Sequence, residues 1–307
     1  MSFRGSYVAL ITPFQANGRI DWKRVETLVE GHVRSGTDGI VCGATTGEGP
    51  TLSEGERKKL AELSIQVAAK RIQVIVSTGL NDTRRSVKAT EEALKQGADG
   101  CLAVTPYYNK PTQRGCVLHF REIGSVGLPV IVYHNPPRTA LKLGLETIQE
   151  ISQLPHLAGI KDCSGDIELI RGIKKSCPHF TILSGDDDFT GLLMRAGGEG
   201  AISVIGNVVP EGWSRAIHFA LEGKWEAAEI LFQRYMALCK AHFIETNPQC
   251  VKFSMYWLGK CGGQLRLPLV EPLEKTKQAI KTAIVGSAAL PQFRVLPAKS
   301  GSTFFVS

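Results

Sequence analysis

Short apolar runs alternate with longer segments of helical periodicity along most of this chain. Most of the runs are apolar at successive positions, which is typical of strands buried on both faces of a parallel sheet. The eight runs occupy residues 7–12, 39–43, 74–79, 100–105, 129–134, 157–162, 181–185 and 200–205. This alternation constrains the fold more than any other feature, because repeated strand–helix units form a parallel α/β sheet.

The spacers between these runs carry helix boundary signals. Ser53 and Glu56 have the spacing of a capping box at the start of the segment 53–69. The segment 83–96 ends at Gly97, a residue type favoured just after the last helical residue. These signals predict helices between successive strands.

Two architectures fit such a pattern, an open doubly wound sheet and a closed (β/α)8 barrel. The first run is not followed by a G-x-G-x-x-G sequence, so a dinucleotide-binding sheet loses its main support. Eight consecutive units fit the barrel. We therefore predict a (β/α)8 barrel over residues 1–223 and a small all-helical domain over residues 224–290. The segment 291–307 receives no assignment.

Composition argues against several classes of function. The formal net charge is +7, but basic residues are scattered, so a mildly basic surface is favoured over a nucleic-acid partner. The eight cysteines form no C-x-x-C pair and several lie in apolar runs, which indicates reduced, buried thiols. The first residues do not resemble a signal peptide, and no apolar run is long enough to span a membrane. We expect a cytoplasmic protein without a membrane partner.

Lys161 is the most informative polar residue, because it lies inside a run predicted to be a buried strand. A buried lysine is costly unless it is paired with a carboxylate or its pKa is lowered. A lowered pKa leaves a free amine that attacks a carbonyl and forms an imine, or Schiff base. The alternative is a structural lysine paired with Asp162 or Asp186, and the strand pattern alone favours neither.

Other polar residues follow the predicted strands at the barrel end where active sites of this fold lie. Tyr133 could relay protons beside an amine, and Thr45 and Thr46 lie in a glycine-flanked loop that could bind a carboxylate. Arg138 could bind a carboxylate through two parallel hydrogen bonds. Considered singly, each has an ordinary alternative: a rim tyrosine, a hydroxyl-capped turn or a surface arginine.

The sequence does not indicate a metal site. It has no H-E-x-x-H motif and no clustered set of histidine, cysteine and acidic residues. The acidic run 186–188 could suggest Mg²⁺, but capping of the helix after Gly185 is the favoured interpretation.

Together, the strand-end motifs resemble those of the dihydrodipicolinate synthase (4-hydroxy-tetrahydrodipicolinate synthase) family. This family belongs to the pyruvate-dependent Schiff-base aldolases, which include N-acetylneuraminate lyase. The motifs are Gly-Ala-Thr-Thr-Gly-Glu at 43–48, Thr-Pro-Tyr-Tyr-Asn-Lys at 105–110, Tyr-His-Asn-Pro-Pro-Arg-Thr at 133–139 and Lys161. The resemblance extends from Gly5 to about Pro272, nearly the whole chain.

The resemblance implies a reaction in lysine and diaminopimelate biosynthesis. Lys161 would form an imine with pyruvate, and the derived enamine would attack the aldehyde of L-aspartate 4-semialdehyde. Thr45, Tyr133 and Tyr108 would form a proton relay, with Tyr108 supplied by a neighbouring subunit.

The resemblance also implies the remaining binding residues and the assembly. Thr46 would bind the pyruvate carboxylate and Arg138 the semialdehyde carboxylate, while Gly185 and Ile202 would line the site. Such enzymes are typically homotetramers of a barrel plus a helical domain, and they use no metal or nucleotide cofactor.

The sequence departs from the family pattern at two places. The family commonly has Tyr-Asn-Val-Pro-x-Arg and Lys-Glu-Ala, where this chain has His134 after Tyr133, and Asp162 and Cys163 after Lys161. These differences leave the aldehyde acceptor open. The alternatives are an aldolase acting on a sugar-derived 2-oxo acid, of the N-acetylneuraminate lyase or 2-keto-3-deoxy sugar-acid aldolase type, and a non-catalytic barrel that binds an oxo acid. Arg138 favours the synthase.

Feedback inhibition by lysine is a separate question. In regulated members of the family, acidic and histidine side chains beyond the Thr-Thr-Gly-Glu motif bind lysine at a dimer interface. Here the corresponding stretches contain Arg57 and Arg85, which would repel a cationic ligand. We therefore predict weak or absent inhibition by lysine.

Overall fold

The computed structural model describes residues 3–288 and contains a closed barrel of eight parallel strands. Each strand pairs with the next along the chain, and β8 pairs with β1 to close the barrel. The strands are β1 (Gly5–Ala9), β2 (Gly39–Cys42), β3 (Gln73–Ser77), β4 (Gly100–Val104), β5 (Val130–His134), β6 (Leu157–Asp162), β7 (Thr181–Ser184) and β8 (Gly200–Ser203). The predicted (β/α)8 barrel is confirmed.

Helices connect the strands and cover the outside of the barrel. They are α1 (Trp22–Arg34), α2 (Glu54–Ala68), α3 (Thr83–Gln96), α4 (Gln113–Gly124), α5 (Pro136–Thr139), α6 (Leu145–Ser152), α7 (Ile167–Ser176), α8 (Thr190–Arg195) and α9 (Pro210–Leu221). The predicted capping box is present at the start of α2, where Ser53 and Glu56 satisfy each other's backbone N–H groups.

The predicted runs and the observed strands differ mainly at their carboxyl ends. The run 7–12 continues past β1, and the run 200–205 continues past β8. The extra residues are apolar because the loops above the barrel are themselves buried. Ile11, for example, is 1% exposed, and its backbone N–H donates to the Asn207 side chain instead of to a neighbouring strand. The apolar pattern therefore continues beyond the last residues that pair in the sheet, because the loop residues that follow are also buried.

Three further helices follow the barrel: α10 (Trp225–Ala241), α11 (Gln249–Trp257) and α12 (Glu274–Ala288). The helix α9 contacts both β1 and α10. Trp213 of α9, Tyr235 of α10 and Ile280 of α12 belong to one buried apolar cluster with barrel residues such as Val25. The C-terminal helices thus share a core with the barrel. The predicted boundary at residues 223/224 stays a prediction, and the segment 291–307 lies outside the described residues.

The barrel interior is filled with side chains. Tyr7, Ile75, Tyr133, Leu183 and Ile202 are among the residues that form this inner cluster. Because the interior is packed, a ligand site of this fold lies at the end of the barrel.

All eight cysteines are buried and none forms a disulfide bond. No helix within residues 3–288 has both the length and the apolar character needed to cross a membrane.

Candidate active site at the carboxyl end of the barrel

Lys161 lies one residue before the end of β6, with only 4% of its surface exposed. Its Nζ is 4.3 Å from the centroid of the Tyr133 ring, on the neighbouring strand β5. Burial lowers the pKa of Lys161 below its ordinary value, and the nearby negative charge of Asp186 opposes this shift. The structure therefore combines a buried amine with a phenol at the end of the barrel.

The structural pairing considered for Lys161 is absent from the described part of the chain. Asp162 points away and bonds His134, with 2.7 Å between its Oδ2 and the His134 Nδ1. Neither Asp162 nor Asp186 forms a salt bridge with Lys161. The ammonium form consequently has no direct counter-ion among these residues, so burial shifts the equilibrium toward the neutral amine.

Tyr133 is buried, and its hydroxyl oxygen accepts a hydrogen bond of 2.8 Å from the Asn135 side-chain amide. Burial raises the pKa of Tyr133, so the phenol keeps its proton at neutral pH. Because its oxygen already accepts from Asn135, the O–H can point to another acceptor. The sequence analysis did not single out Asn135, whose side chain also accepts from the Arg138 backbone N–H at 3.2 Å.

Thr46 and Arg138 are joined through Asn247, in the loop between α10 and α11. The Asn247 side-chain amide donates to the Thr46 hydroxyl at 3.0 Å, and the Asn247 carbonyl accepts from Arg138 at 3.1 Å. The buried Asn247 Oδ1 has no hydrogen-bond partner among the described residues. No sequence signal pointed to Asn247, because the contact depends on how the C-terminal helices fold back over the barrel.

An open cavity of ≈ 490 Å³ adjoins this chain of hydrogen bonds. It is lined by Arg138, Phe243, Ile244, Glu245, Thr246, Asn247 and Gln249. The lining includes neither Lys161 nor Tyr133, so the cavity adjoins Arg138 and Asn247 at the edge of the site and is bounded mainly by the α10–α11 region.

Thr45 and Tyr108 are not joined to Tyr133 by hydrogen bonds among the described residues. Thr45 is half-buried, and no hydrogen bond joins it to Tyr133 within residues 3–288. The backbone N–H groups of Thr45 and Thr46 are likewise unused by other described residues, which leaves them free to bind an anion. Tyr108 is 89% exposed and has a positive φ of 72°. The relay proposed from the resemblance is therefore not connected within one chain.

The resemblance implies that Gly185 and Ile202 line the site, and the structure places Gly185 beside Lys161 and Ile202 in the barrel interior. A Cβ atom at Gly185 would come within 2.8 Å of Lys161 Cε and 2.2 Å of Cys163 Sγ, so only glycine fits beside the lysine. Ile202 belongs to the interior cluster that contains Tyr133 and Cys163. Both positions therefore contribute to the inner wall below the barrel end.

Cys163 is a site residue that the sequence analysis noted as a family departure without placing it. Two residues after Lys161 on the same chain, it faces the same side, as strand periodicity predicts. Burial raises the pKa of the Cys163 thiol well above its ordinary value, so the thiol is neutral. Side chains alternate between the two faces of a strand, and extending this alternation from Lys161 to residue 163 would have placed Cys163 on the same face as the lysine.

The capping role predicted for the acidic run 186–188 is wrong. Neither Asp186 nor its neighbours cap the short 3-10 helix Asp187–Phe189 through a side chain. Instead, the Asp187 carboxylate accepts hydrogen bonds from the backbone N–H groups of Val204 at 2.9 Å and Ile205 at 2.8 Å. Burial raises the pKa of Asp187 to about 6. Residues 3–288 contain no cluster of potential ligands arranged to hold a metal ion.

Comparisons with known proteins extend over nearly the whole chain. A family model described as the dihydrodipicolinate synthetase family matches residues 2–287. The 4-hydroxy-tetrahydrodipicolinate synthase of Thermodesulfovibrio yellowstonii is 42% identical over 94% of this chain and 99% of its own length. That of Pseudomonas aeruginosa is 43% identical over 86% and 91%, respectively. The crystal structure of dihydrodipicolinate synthase from Aquifex aeolicus matches with a TM-score of 0.90 at 40% identity, covering 92% of this chain and 97% of that chain.

Proposed function

Because the chain belongs to the dihydrodipicolinate synthetase family, we propose that it is a 4-hydroxy-tetrahydrodipicolinate synthase. It is a lyase that condenses pyruvate with L-aspartate 4-semialdehyde. The observation that carries the proposal is the buried amine of Lys161, which has a lowered pKa, has no counter-ion within the described part of the chain and lies 4.3 Å from the Tyr133 ring centroid. An amine of this kind is suited to covalent catalysis on a carbonyl.

In the proposed reaction, the Lys161 nitrogen attacks the keto carbon of pyruvate and a carbon–nitrogen bond forms. The carbonyl oxygen takes up protons and leaves as water, which gives the imine. Loss of a proton from the methyl group then gives the enamine, whose carbon attacks the aldehyde of the second substrate. The amino group of that substrate then attacks the imine carbon and displaces the Lys161 nitrogen, which closes the ring and frees the enzyme. Tyr133 is suited to moving these protons because it is protonated at neutral pH and adjoins the amine.

The loop after β2 supplies the proposed site for the pyruvate carboxylate. Its free backbone N–H groups at Thr45 and Thr46 can donate to a carboxylate, and the Thr46 hydroxyl can add a further hydrogen bond. Asn247 holds the Thr46 hydroxyl from the other side at 3.0 Å. Binding the carboxylate here would orient the keto carbon of pyruvate for attack.

Arg138 is the proposed ligand for the carboxylate of the semialdehyde. One of its terminal nitrogens is fixed by the Asn247 carbonyl at 3.1 Å, which leaves other N–H groups available at the edge of the cavity. A guanidinium held in this way can bind a carboxylate through parallel hydrogen bonds.

Tyr108 and the assembly complete the proposal. We propose a homotetramer in which Tyr108 enters the site of a neighbouring subunit, since its exposed ring makes no hydrogen bond to the relay residues of its own chain. Leu267, Val270 and Leu273 are also exposed apolar residues that an interface could cover. The cytoplasmic location predicted from the sequence stays a prediction.

Reduction with borohydride in the presence of pyruvate, followed by mass spectrometry, tests the imine. We expect one reduced pyruvate adduct per chain, located on Lys161, and no adduct would contradict the mechanism. A coupled assay with L-aspartate 4-semialdehyde then tests the acceptor. An adduct without consumption of the semialdehyde, but with cleavage of a 2-keto-3-deoxy acid, would support a sugar-acid aldolase instead. An adduct without any turnover would support a binding protein.

A further inference from the structure

We infer that the buried pair formed by His134 and Asp162 is a positioning device that fixes Tyr133 relative to Lys161. The inference rests on the proposed function, since it assigns a role in the imine-forming step. Both side chains of the pair are 0% exposed, and 2.7 Å separates His134 Nδ1 from Asp162 Oδ2. Nothing in the proposed reaction requires either side chain to touch a substrate.

The position of the pair in the sheet links it to the reactive residues. Tyr133 and Lys161 are partners in the β5–β6 pairing, and His134 and Asp162 are the next partners along the strands. Because successive strand residues point to opposite faces, the first two face the barrel interior and the second two face outward. The outward bond therefore joins the two strands directly behind the reactive residues.

The β5–β6 pairing has an irregularity that makes this bond important. The register shifts between Val130 and Ile131, so that Ala158 has no direct partner before regular pairing resumes. Above this bulge only the last few residues of β5 and β6 define the register. A side-chain bond at His134 and Asp162 holds the strand ends in the alignment that brings Tyr133 beside Lys161.

Every polar atom of the pair is hydrogen-bonded. His134 Nε2 accepts from the Leu143 backbone N–H at 3.0 Å, so the ring proton is on Nδ1 and is donated to Asp162. The other Asp162 oxygen accepts from the Ser164 backbone N–H at 2.9 Å and from the Ser164 hydroxyl at 2.7 Å. A fully satisfied buried network of this kind is rigid.

The pair involves two of the positions at which this chain departs from the family pattern described above. His134 and Asp162 occupy the positions where an asparagine and a glutamate are common. The sequence alone presented these as unrelated differences, but the structure places them in one contact. The histidine on β5 and the aspartate on β6 meet in this chain, so the two differences are physically connected.

Two substitutions of His134 separate the bond to Asp162 from the bond to Leu143. In His134→Asn, the amide nitrogen can take the place of Nδ1 and keep the bond to Asp162. In His134→Gln, the longer amide replaces Nε2 instead, so the bond to Asp162 is lost while the contact with Leu143 is kept. Both variants are polar and uncharged, so they differ mainly in which bond survives.

The test measures imine formation with pyruvate and kcat, together with urea denaturation to confirm folding. We expect His134→Gln to slow imine formation by about 10-fold, because small displacements of reacting groups reduce rates strongly. We expect His134→Asn to stay within about 3-fold of the unmodified protein, and neither variant to move the pH dependence of imine formation, which follows Lys161 itself.

A second His–Asp pair, partly exposed and at the opposite end of the barrel, provides a control. His218 Nε2 lies 2.7 Å from Asp38 Oδ2, and Asp38 immediately precedes β2. We expect His218→Asn, which removes that bond, to lower stability without changing kcat. Should His134→Gln fold poorly, Ser164→Ala removes one donor to Asp162 and is expected to slow imine formation by about 3-fold.

Three outcomes would overturn the inference: an unchanged imine rate in His134→Gln or Ser164→Ala, an equal loss in His134→Gln and His134→Asn, or a shifted pH dependence, which would indicate a charge effect. The failure of the proposed function is distinguishable, since in that case the unmodified protein itself would form no pyruvate adduct.

Discussion

Lys161 and Lys252 are both buried lysines, and their surroundings differ in one decisive respect. Lys161 is 4% exposed and Lys252 is 0% exposed, and burial lowers the pKa of each. Lys252 forms a salt bridge with the buried Glu48 and lies over the Phe14 ring, with its Nζ 3.9 Å from the centroid. Lys161 forms no salt bridge among the described residues. Burial alone therefore does not distinguish the two lysines, whereas the presence of a counter-ion at Lys252 does.

The two lysines nevertheless support the same site. Glu48 ends the Thr-Thr-Gly-Glu motif, and its second carboxylate oxygen accepts from the Arg266 backbone N–H at 2.9 Å. Lys252 lies in α11, so its bond to Glu48 ties the C-terminal helices to the loop that carries Thr45 and Thr46. One lysine provides the proposed chemistry and the other holds the loop beside it.

The largest effect is expected from Lys161→Met. Without the amine no imine can form, so we expect kcat to fall by at least about 10³-fold and the borohydride-trapped adduct to disappear. Stability should not fall, because a buried, unpaired amine is replaced by an apolar side chain of similar length. Mass spectrometry and urea denaturation check both statements, and a persistent pyruvate adduct on the variant would contradict the assignment of the lysine.

Breaking the salt bridge between Lys252 and Glu48 should lower stability and leave the proposed chemistry intact. We expect Lys252→Met to lower the free energy of unfolding by about 3–5 kcal/mol, because the Glu48 charge stays buried without its partner. The folded fraction should still form the pyruvate adduct. Urea denaturation measures the loss, with Lys58→Met on the surface as a control that should leave stability unchanged. An unaltered stability of Lys252→Met would show that the pair contributes little.

Tyr133→Phe tests whether the Tyr133 hydroxyl takes part in the proposed reaction at Lys161. We expect kcat to fall by about 10²-fold, the usual size of a general acid–base contribution, while the adduct still forms slowly. Tyr7→Phe is the matched control, because Tyr7 lies in the same interior cluster and its hydroxyl bonds Gln73 at the start of β3, at the other end of the barrel. Equal losses of kcat in the two variants would argue against a specific role for Tyr133.

The pH dependence of stability tests whether the pKa of Lys161 is lowered in the folded protein. Since burial lowers the folded-state pKa of Lys161 below its ordinary value of 10.5, the unfolded chain binds an additional proton at pH values between these two pKa values. The free energy of unfolding contributed by this group therefore rises with pH across that window. We expect the stability advantage of Lys161→Met to be largest near neutral pH and to shrink as the pH approaches 10.5. Urea denaturation across this range measures it, and a constant advantage would contradict the lowered pKa.

The smallest expected effect is that of free lysine on activity. Arg57 is held by its bonds to the Gly49 and Leu52 carbonyls, which keeps a cation in the stretch that the resemblance equates with the lysine-binding residues of regulated family members. We expect little inhibition in steady-state assays. Half-inhibition below about 1 mM, equivalent to a binding free energy near −4 kcal/mol, would show this prediction to be wrong.

The fold could be predicted well from the sequence, because the alternation of strands and helices follows from local apolar patterns. It also placed Lys161 and Tyr133 at strand ends, since both follow directly from the position of a buried strand. The strand ends themselves were less accurate, as with Ile11, because burial and strand pairing stop at different residues.

Long-range contacts within the site were not predictable from local patterns. Asn247 reaches Thr46 from a loop 201 residues away along the chain. Asp187 was misassigned for the same reason, since its partners Val204 and Ile205 lie beyond the next strand. Periodicity assigns each side chain to a face of the sheet, but it does not determine which loops meet above the barrel.

Because all eight thiols are buried, their reaction with a thiol reagent can report on opening motions of the chain. A thiol reagent can modify a buried cysteine only when its surroundings open, so the rate of labelling measures local or global unfolding. Cys42 and Cys101 lie in barrel strands, whereas Cys239 and Cys250 lie in the C-terminal helices. Mass-resolved labelling would therefore show whether the helices that cover the active site detach before the barrel opens.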